Sequence, residues 1–360
     1  MTLPASTLPP ITDPVFNKPE RYNVLDRMLL FFIRDERDLP FIQISLAASL
    51  TLFPLAAVMF APGLYRWWMS PIYWAVLMAF FLDRFILMLH NTSHRPLYKK
   101  QFGFMNHYIP WVLGPFFGET PETYFSHHLG MHHAENNMHD DLSSTLRYRR
   151  DNLLHFAHYF TRFFFVGVFE LTLYFFRRRK YDLMARAAAG ESVYILAVIG
   201  LLWFNPLATL TVFLVPFCFT RFAMMAGNWS QHAFIDHTDP GNSYRNSITC
   251  INTRYNRRCF NDGYHIGHHI RANRHWTEMP DDFIKNLDRY RDEGCTVFQG
   301  VDYFQIWVLL MTHNHKKLAS HLVDLGPVRT IEERVAHLNR RLEPVIEAET
   351  ASPDHALAAG

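Results

Sequence analysis

The chain has 360 residues, of which 49% are apolar and 16% aromatic, and its formal net charge is +2. The balanced charge gives no indication of nucleic-acid binding, and an aromatic content this high is typical of a very large core or of contact with lipid. The four cysteines form no CxxC pair, which excludes a zinc ribbon or a disulfide scaffold and predicts a reducing compartment. Histidine, with 21 residues, is the unusual component.

The N-terminal part predicts a segment that precedes the membrane. Residues 1–20 are typical of a flexible lead and lack the basic and then apolar pattern of a signal peptide. Residues 22–38 mix apolar and charged side chains, which predicts an amphipathic helix lying on a membrane surface.

A first membrane hairpin follows. Residues 41–62 carry no charge and are long enough to cross a hydrocarbon layer of ~30 Å, with a kink expected at Pro54. Residues 71–89 predict a helix that crosses back and continues into the water. The emerging end of that helix carries His90 and His94.

Two further apolar stretches predict segments that do not cross. Residues 106–117 are short and interrupted by Pro and Gly, which favours an interfacial or re-entrant segment. Residues 153–176 are long enough to span, but basic clusters flank both ends, and basic loops stay cytoplasmic. Both ends then belong on one side, so this helix is expected in the interface.

The second half predicts another hairpin and a polar region. Residues 187–204 and 207–226 are two spans separated by an uncharged turn. Residues 301–311 are too short to cross and predict a surface helix, and residues 330–346 predict a solvated helix with alternating charge. The tail after Ala348 is expected to be disordered.

Together these segments predict an all-α integral membrane protein. Four transmembrane helices in two hairpins carry a cytoplasmic helical cap that holds a site for two metal ions, with both termini on the cytoplasmic side. The expected organisation is a lead and interfacial helix (residues 1–40), a membrane domain (41–320), and a C-terminal helix with a flexible tail (321–360).

Nine histidines and one asparagine fall into four groups at the ends of these apolar segments. A single histidine on a helix is more often structural than a ligand, but four groups on one face of the membrane predict a metal site. The groups are His90 and His94; His128, His132 and His133; Asn228 and His232; and His265, His268 and His269.

Nine imidazoles exceed the needs of one metal ion and predict two. Zinc sites take three or four protein ligands, whereas nine fit two ions of higher coordination number with positions open for oxygen and water. Imidazole suits zinc, copper, iron and nickel, but zinc has no redox chemistry and iron can activate O₂. The HExxH motif of metalloproteases is absent. A metal pair at the edge of the hydrocarbon layer is placed to oxidise a C–H bond of a lipid chain with water excluded.

The three histidine-rich motifs resemble the histidine boxes of the membrane fatty acid desaturase and hydroxylase family. They are HNTSH at residues 90–94 (box one), HLGMHH at 128–133 (box two) and HIGHH at 265–269 (box three), and NWSQH at 228–232 resembles the N-x-x-x-H motif that precedes the last box. The resemblance covers about residues 40–280. It implies a mushroom-like fold, the nine histidines as ligands of two iron ions, and Asn228 as a ligand through water. It also implies O₂ as oxidant, a lipid acyl substrate and a separate electron donor of the ferredoxin, rubredoxin or cytochrome b5 type.

Box two departs from the pattern of acyl desaturases. It has three residues between its first histidine and the pair, where acyl desaturases usually have two, and HxxxHH is similar to the membrane alkane hydroxylases. The N-Y-x-E-H-Y-G signature of those hydroxylases is not matched by NWSQHAF. The favoured interpretation is a desaturase that introduces a double bond into an acyl lipid, and the alternative is a membrane hydroxylase of alkanes, fatty acyl chains or another lipid. A metal transporter or sensor is a third interpretation, but it predicts histidines inside the spans.

Other polar residues near the boxes have a functional and a structural interpretation. Asp83 precedes His90 on the same helical face and could orient a ligand imidazole or simply pair with a neighbouring cation. His275 and Trp276 could line the site or receive electrons. Glu135, Asn136, Asn137, Asp140 and Asp141 could support ligands or form a solvated loop, and Arg254, Arg257, Arg258, Arg271 and Arg274 could contact headgroups, an acidic carrier or an acidic electron donor.

Overall fold

The computed structural model describes residues 8–345, which are mostly helical. The predicted tail after Ala348 and the first seven residues of the predicted lead lie outside these residues. The helices are α1 (Val24–Leu30), α2 (Leu39–Phe60), α3 (Met69–Val76), α4 (Leu82–His94), α5 (Thr123–His127), α6 (His133–Glu135), α7 (Leu153–Arg177), α8 (Tyr181–Phe204), α9 (Pro206–Thr209), α10 (Val215–Gln231), α11 (Ser243–Asn246), α12 (Arg254–Arg258), α13 (His265–Ile270), α14 (Met279–Lys285), α15 (Leu287–Asp292), α16 (Tyr303–Met311), α17 (His315–Ser320) and α18 (Ile331–Leu342). The strands are β1 (Ile248–Ile251) and β2 (Thr296–Gln299). Turns of 3₁₀ helix (Glu36–Asp38, Lys100–His107, Gly114–Phe117, Trp276–Glu278) and of π-helix (Leu77–Phe81, Ile109–Leu113, His128–His132, Leu210–Leu214) complete the elements.

Five helices of the described chain are long and apolar enough to cross a membrane: Glu36–Phe60, Met69–His94, Leu153–Arg177, Tyr181–Phe204 and Pro206–Gln231. Four of them are the predicted crossings, and the fifth, α7, is the helix that the flanking charges placed in the interface. Length and composition do not separate a spanning helix from one that lies on the surface, so the count of four stays a prediction.

The second of these helices confirms the prediction of one long helix that carries box one. Residues 69–94 run continuously through α3, the π-turn at residues 77–81 and α4. At 1.5 Å per residue, its 26 residues are about 39 Å long. A hydrocarbon layer of ~30 Å is shorter than this, so a helix that crosses it upright would extend beyond it at one end. His90 and His94 lie at its C-terminal end.

Residues 114–123 form a segment wedged between α8 and the start of α10. A Cβ added to Gly118, which has φ +77°, would lie 2.4 Å from the backbone of Phe217. A Cβ added to Gly190 of α8 would lie 1.6 Å from the carbonyl oxygen of Pro121. Both approaches require glycine because no side chain fits between the backbones. The segment is therefore fixed deep among the long helices.

A two-stranded parallel sheet, which the all-α prediction omitted, supports box three. β1 and β2 pair from Ile248 with Thr296 to Ile251 with Gln299. The backbone N–H of Cys250 in β1 donates to the carbonyl of Gly263 at 2.7 Å, directly before box three. The sheet thus fixes the position at which α13 begins.

The N-terminal lead differs from its prediction where it is described. The side chain of Asp13 accepts hydrogen bonds from the hydroxyl of Tyr264 and from the backbone N–H of Asn252, both at 2.7 Å. The expected interfacial helix of residues 22–38 is also shorter, because an isolated antiparallel bridge between Ile33 and Tyr98 follows α1. The lead therefore packs against the segment that carries box three.

Candidate metal centre

The structure brings together all nine histidines of the sequence prediction, in two adjacent groups. In each group one ring nitrogen per residue lies within 4.8 Å of every other. The first group is His90, His94, His128, His133 and His268, and the second is His132, His232, His265 and His269.

The first group joins all three boxes. The Nε2 atom of His268 lies 2.9 Å from that of His90 and 2.9 Å from that of His133. The Nε2 atom of His128 lies 3.0 Å from that of His94 and 3.1 Å from that of His133. Five imidazole nitrogens thus converge on one small volume.

The second group combines boxes two and three with the end of α10. The Nε2 atom of His265 lies 3.2 Å from that of His232 and 3.0 Å from that of His269. The ring of His132 completes the group, with its centroid 5.2 Å from the ring of His269. His132 and His133 join different groups because adjacent side chains on a helix point in different directions.

Box two owes its geometry to a π-helical turn. α5, the π-turn His128–His132 and α6 are consecutive, and the N–H of His133 bonds to the carbonyl of His128, five residues back. A π-turn takes up one residue more than an α-turn. The additional residue of HLGMHH is therefore accommodated in the backbone, and all three histidines of the box face the centre.

Acceptors outside the centre orient three of the imidazoles. The Nδ1 atom of His132 lies 2.7 Å from Oδ2 of Asp141, and that of His90 lies 3.1 Å from Oδ1 of Asp262. The Nδ1 atom of His232 lies 2.8 Å from the backbone carbonyl of Asn246. An N–H at Nδ1 that donates to these acceptors leaves Nε2 unprotonated and directed at the centre, as metal-binding histidines require.

The protonation states also suit metal binding. Burial lowers the pKa of His128, His265 and His269 well below the ordinary value for histidine. The neighbouring imidazoles have a smaller effect in the same direction. Burial also lowers the pKa of His232 to about 3. Burial opposes ionisation of Asp141, but His132 and the hydrogen bonds it receives outweigh that effect and lower its pKa to about 2. Neutral imidazoles are the form that binds a metal ion.

The two supporting residues of the sequence prediction differ in their surroundings. Asn228 lines the central cavity and donates from Nδ2 to the hydroxyl of Tyr159 at 2.7 Å and to the carbonyl of Ser143 at 3.1 Å. Within residues 8–345 only its Nδ2 atom makes hydrogen bonds, and its role as a ligand through water stays a prediction. Asp83 instead pairs with the guanidinium of Arg258, and the acid that meets His90 is Asp262.

Sequence reasoning found Asp141 only within a set of polar residues after box two, and it missed Asp262. Asp262 directly precedes Gly263 and box three, so an acid adjacent to a box was the available signal. The Nε2 atom of His275 lies 2.9 Å from Oδ1 of Asp38. His275 therefore pairs with this acid and belongs to neither histidine group.

A cavity of about 440 Å³ opens onto the centre. His90, His128, His132 and His265 form part of its wall, and it extends along the long helix of box one from His90 to Met78. Twelve residues of helix correspond to about 18 Å. Apolar side chains form much of the remaining wall: Leu82, Ile86, Leu87, Phe163, Val168, Leu171 and Phe219. This volume is in the range of cavities that bind small molecules, and its length suits a chain-like ligand.

Of the comparisons with known proteins, the match to a family model agrees with this geometry. No curated protein and no solved structure matches the chain significantly. The family model described as fatty acid desaturase matches residues 65–300, which include all three boxes and most of the cavity wall. With its apolar helices, the chain is a multi-pass membrane protein and an oxidoreductase that acts on fatty acids. The chain belongs to the fatty acid desaturase family.

Proposed function

We propose that this protein is an O₂-dependent desaturase with two iron ions that introduces a double bond into a fatty acyl chain. The observation that carries the proposal is the pair of histidine groups at the end of a long, mostly apolar cavity. A metal transporter or sensor is disfavoured because the histidines converge on one buried centre and do not line a path through the spans.

The residues present fit a pair of iron ions. Each group offers only imidazole nitrogens, five in one and four in the other, and no thiolate. Imidazole is a ligand of iron, copper, nickel and zinc, and of these zinc lacks the redox chemistry that the oxidation of an alkyl chain needs. The first group would hold one ion and the second group the other, and together they would supply the activation of O₂ and the oxidation of a C–H bond.

The protein's own residues set the position of the chain and the environment of the reaction. The carboxylates of Asp141 and Asp262 hold the rings of His132 and His90, which keeps the two groups preorganised. The apolar wall binds an extended chain along the cavity and brings one stretch of it against the histidines. The same wall excludes water, which limits side reactions at the oxidised carbon.

Hydroxylation of an alkane, an acyl chain or another lipid is the second candidate, and the three-residue spacing in box two favours it. Loss of two neighbouring hydrogens from the chain gives an alkene, whereas transfer of oxygen to one carbon gives an alcohol. Mass spectrometry of lipids from a host that expresses the protein distinguishes the products. We expect a new double bond, and finding only hydroxylated lipid or alcohol would replace desaturation by hydroxylation.

The metal assignment has its own test. The purified protein should contain about two iron ions per chain, and His265→Ala should lose iron and activity while still inserting into the membrane, since the ring lies among the Nε2 atoms of the second group. Exchangeable zinc without iron, or full activity of the variant, would contradict the assignment.

We further propose that α7 lies in the interface and that four helices cross, which places both termini and the centre on the cytoplasmic side. Near the start of α7, the hydroxyl of Tyr159 donates to the carbonyl of Ser143. At its end, Lys180 donates to the carbonyl of Gly130 at 2.9 Å. Both ends thus contact the polar region around box two, which is difficult for a helix that crosses to the other side.

A separate protein would deliver the electrons. Exposed arginines close to box three, Arg254, Arg257 and Arg271, favour an acidic donor of the ferredoxin, rubredoxin or cytochrome b5 type. Reconstitution with each donor type identifies the partner by the rate of turnover.

A further inference from the structure

The cavity wall is not apolar throughout. Glu119 and Arg221, each 6% exposed, line the cavity together with Thr120. The wedged segment 114–123 holds Glu119 in this place, and α10 holds Arg221. Ionisable side chains lose their hydration on burial, so a buried pair that lines a cavity is a candidate for a function.

One carboxylate oxygen of Glu119 has no hydrogen-bond partner among the described residues. Its Oε1 atom is fully buried and has no hydrogen bond within residues 8–345. Buried polar groups in folded proteins nearly always have a partner, because an unpartnered one loses its hydration without compensation. Burial raises the pKa of Glu119 to about 8, and Arg221 opposes this effect. At neutral pH the side chain is therefore mostly a neutral acid with an O–H to donate.

Arg221 has more donors than its neighbours use. Its Nη2 atom donates to Oε1 of Glu191 at 2.8 Å and to Oγ1 of Thr120 at 3.2 Å. The charge of the guanidinium is thus balanced by Glu191. Its Nε and Nη1 atoms have no hydrogen bond within the described chain, although the residue lines the cavity. Arg221 and Glu119 together present donors that call for an oxygen acceptor.

We propose that Glu119 and Arg221 bind the terminal oxygen group of an unesterified long-chain amphiphile, a carboxylic acid or an alcohol, inside the cavity. The substrate is then taken up whole and is not an acyl chain whose headgroup stays outside. Arg221 and Asn228 are seven residues apart on one face of α10, which corresponds to about 10 Å. The oxygen group is thus held about two helical turns along α10 from Asn228, which lines the same cavity as His128, His132 and His265, and a long chain can extend toward those histidines. The oxidation of the bound ligand rests on the proposed function, whereas the binding of the ligand does not.

Binding to the purified full-length protein tests the proposal without turnover. The probes are tritiated hexadecanoic acid, hexadecanol and hexadecane, measured by scintillation proximity in detergent. Wild type should bind the acid or the alcohol at least about tenfold more tightly than the alkane, since a hydrogen bond to a charged group is worth about ten- to a hundredfold in affinity. Preference for the acid identifies a fatty acid as the ligand, and preference for the alcohol identifies a fatty alcohol.

Glu119→Leu should weaken binding of the preferred probe and leave binding of hexadecane unchanged, so that the preference becomes smaller while the donors of Arg221 remain. It removes a buried carboxyl oxygen that has no hydrogen bond within residues 8–345, so thermal stability should not fall. Glu122→Gln is the matched control, because Glu122 lies on the same segment but is bound to Arg186 and to Trp111. It should keep the preference of wild type. If Glu119→Leu binds all three probes as wild type does, the pocket holds only water and the proposal is wrong.

A second measurement uses wild type alone and remains informative if the variant does not fold. Hexadecanoyl-CoA should compete with the preferred probe at least about tenfold more weakly than the unesterified ligand, because its headgroup cannot reach Glu119. Equal competition would overturn the proposal while leaving the iron content and the reaction unaffected. Conversely, absence of iron would remove the proposed function without changing these affinities.

Discussion

Replacing Asp141 by Asn tests whether the carboxylate behind His132 stabilises the centre. Asp141 is fully buried, and its Oδ2 atom lies 2.7 Å from Nδ1 of His132 and 3.0 Å from the backbone nitrogen of Asn137. Its Oδ1 atom accepts from the N–H and the hydroxyl of Ser143 at 2.8 and 2.6 Å. One carboxylate therefore accepts from four donors.

The magnitude follows from these contacts. The amide of Asn keeps one acceptor oxygen and turns an NH₂ toward the remaining donors, so at least one buried donor loses its acceptor at a cost of about 1–3 kcal/mol. The ring of His132 also loses the anion that fixes its orientation. Removing such an outer partner typically lowers metal affinity or activity about 10- to 100-fold, which corresponds to about 1.4–2.8 kcal/mol.

Iron per chain and iron retention against a chelator are the assays, and Asp140→Asn is the control. Asp140 is the neighbouring acid, but its side chain is 69% exposed and pairs with Arg178. Exposed ion pairs contribute only about 0–1 kcal/mol, so this variant should retain iron as wild type does. Equal retention in the two variants would refute the role of Asp141.

Three further outcomes are expected. Asp262→Asn should weaken iron retention about 10- to 100-fold in the group that contains His90 and leave the other ion bound, which metal analysis detects as partial loss. Gly190→Ala should lower thermal stability markedly, because its Cβ would lie 1.6 Å from the carbonyl oxygen of Pro121. The control is Gly200→Ala on the same helix, where a Cβ would have nothing within 4 Å. This variant should be neutral or more stable than wild type by about 0.4–1 kcal/mol. Cysteines introduced at the two ends of α7 should react with a membrane-impermeant thiol reagent from the same side, and labelling from opposite sides would contradict the interfacial position.

Much of the fold could be predicted because lipid imposes strong local rules. Long uncharged runs predicted the helices that begin at Leu39, Met69, Tyr181 and Pro206, since a helix satisfies its own backbone in an apolar solvent. The two short strands escaped prediction because Ile248–Ile251 and Thr296–Gln299 are far apart in the chain and carry no alternation of apolar and polar residues. Their pairing depends on the tertiary structure and not on local sequence.

The same distinction applies to the site. The nine histidines were predicted because their spacing repeats at the ends of apolar segments. Asp262 and His90 are 172 residues apart in the chain, so their contact could not be derived from local spacing. Asp83, chosen because it shares a helical face with His90, pairs with Arg258 instead. Periodicity indicates which side of a helix a residue occupies, but the neighbouring element decides what it contacts.

Box two shows why spacing alone does not determine the reaction. The third residue between His128 and His132 made the motif similar to that of alkane hydroxylases. In the structure a π-turn takes up that residue, so His128 and His133 reach one histidine group and His132 reaches the other. The number of residues in the box therefore describes the backbone between the ligands and not the position of the chain that is oxidised. Under the proposed function the cavity wall would set that position, and a polar anchor at Glu119 and Arg221 would determine which carbon meets the histidines. The carbon that is oxidised would accordingly depend on where the substrate's polar end is bound, whereas the choice between an alkene and an alcohol is read from the products.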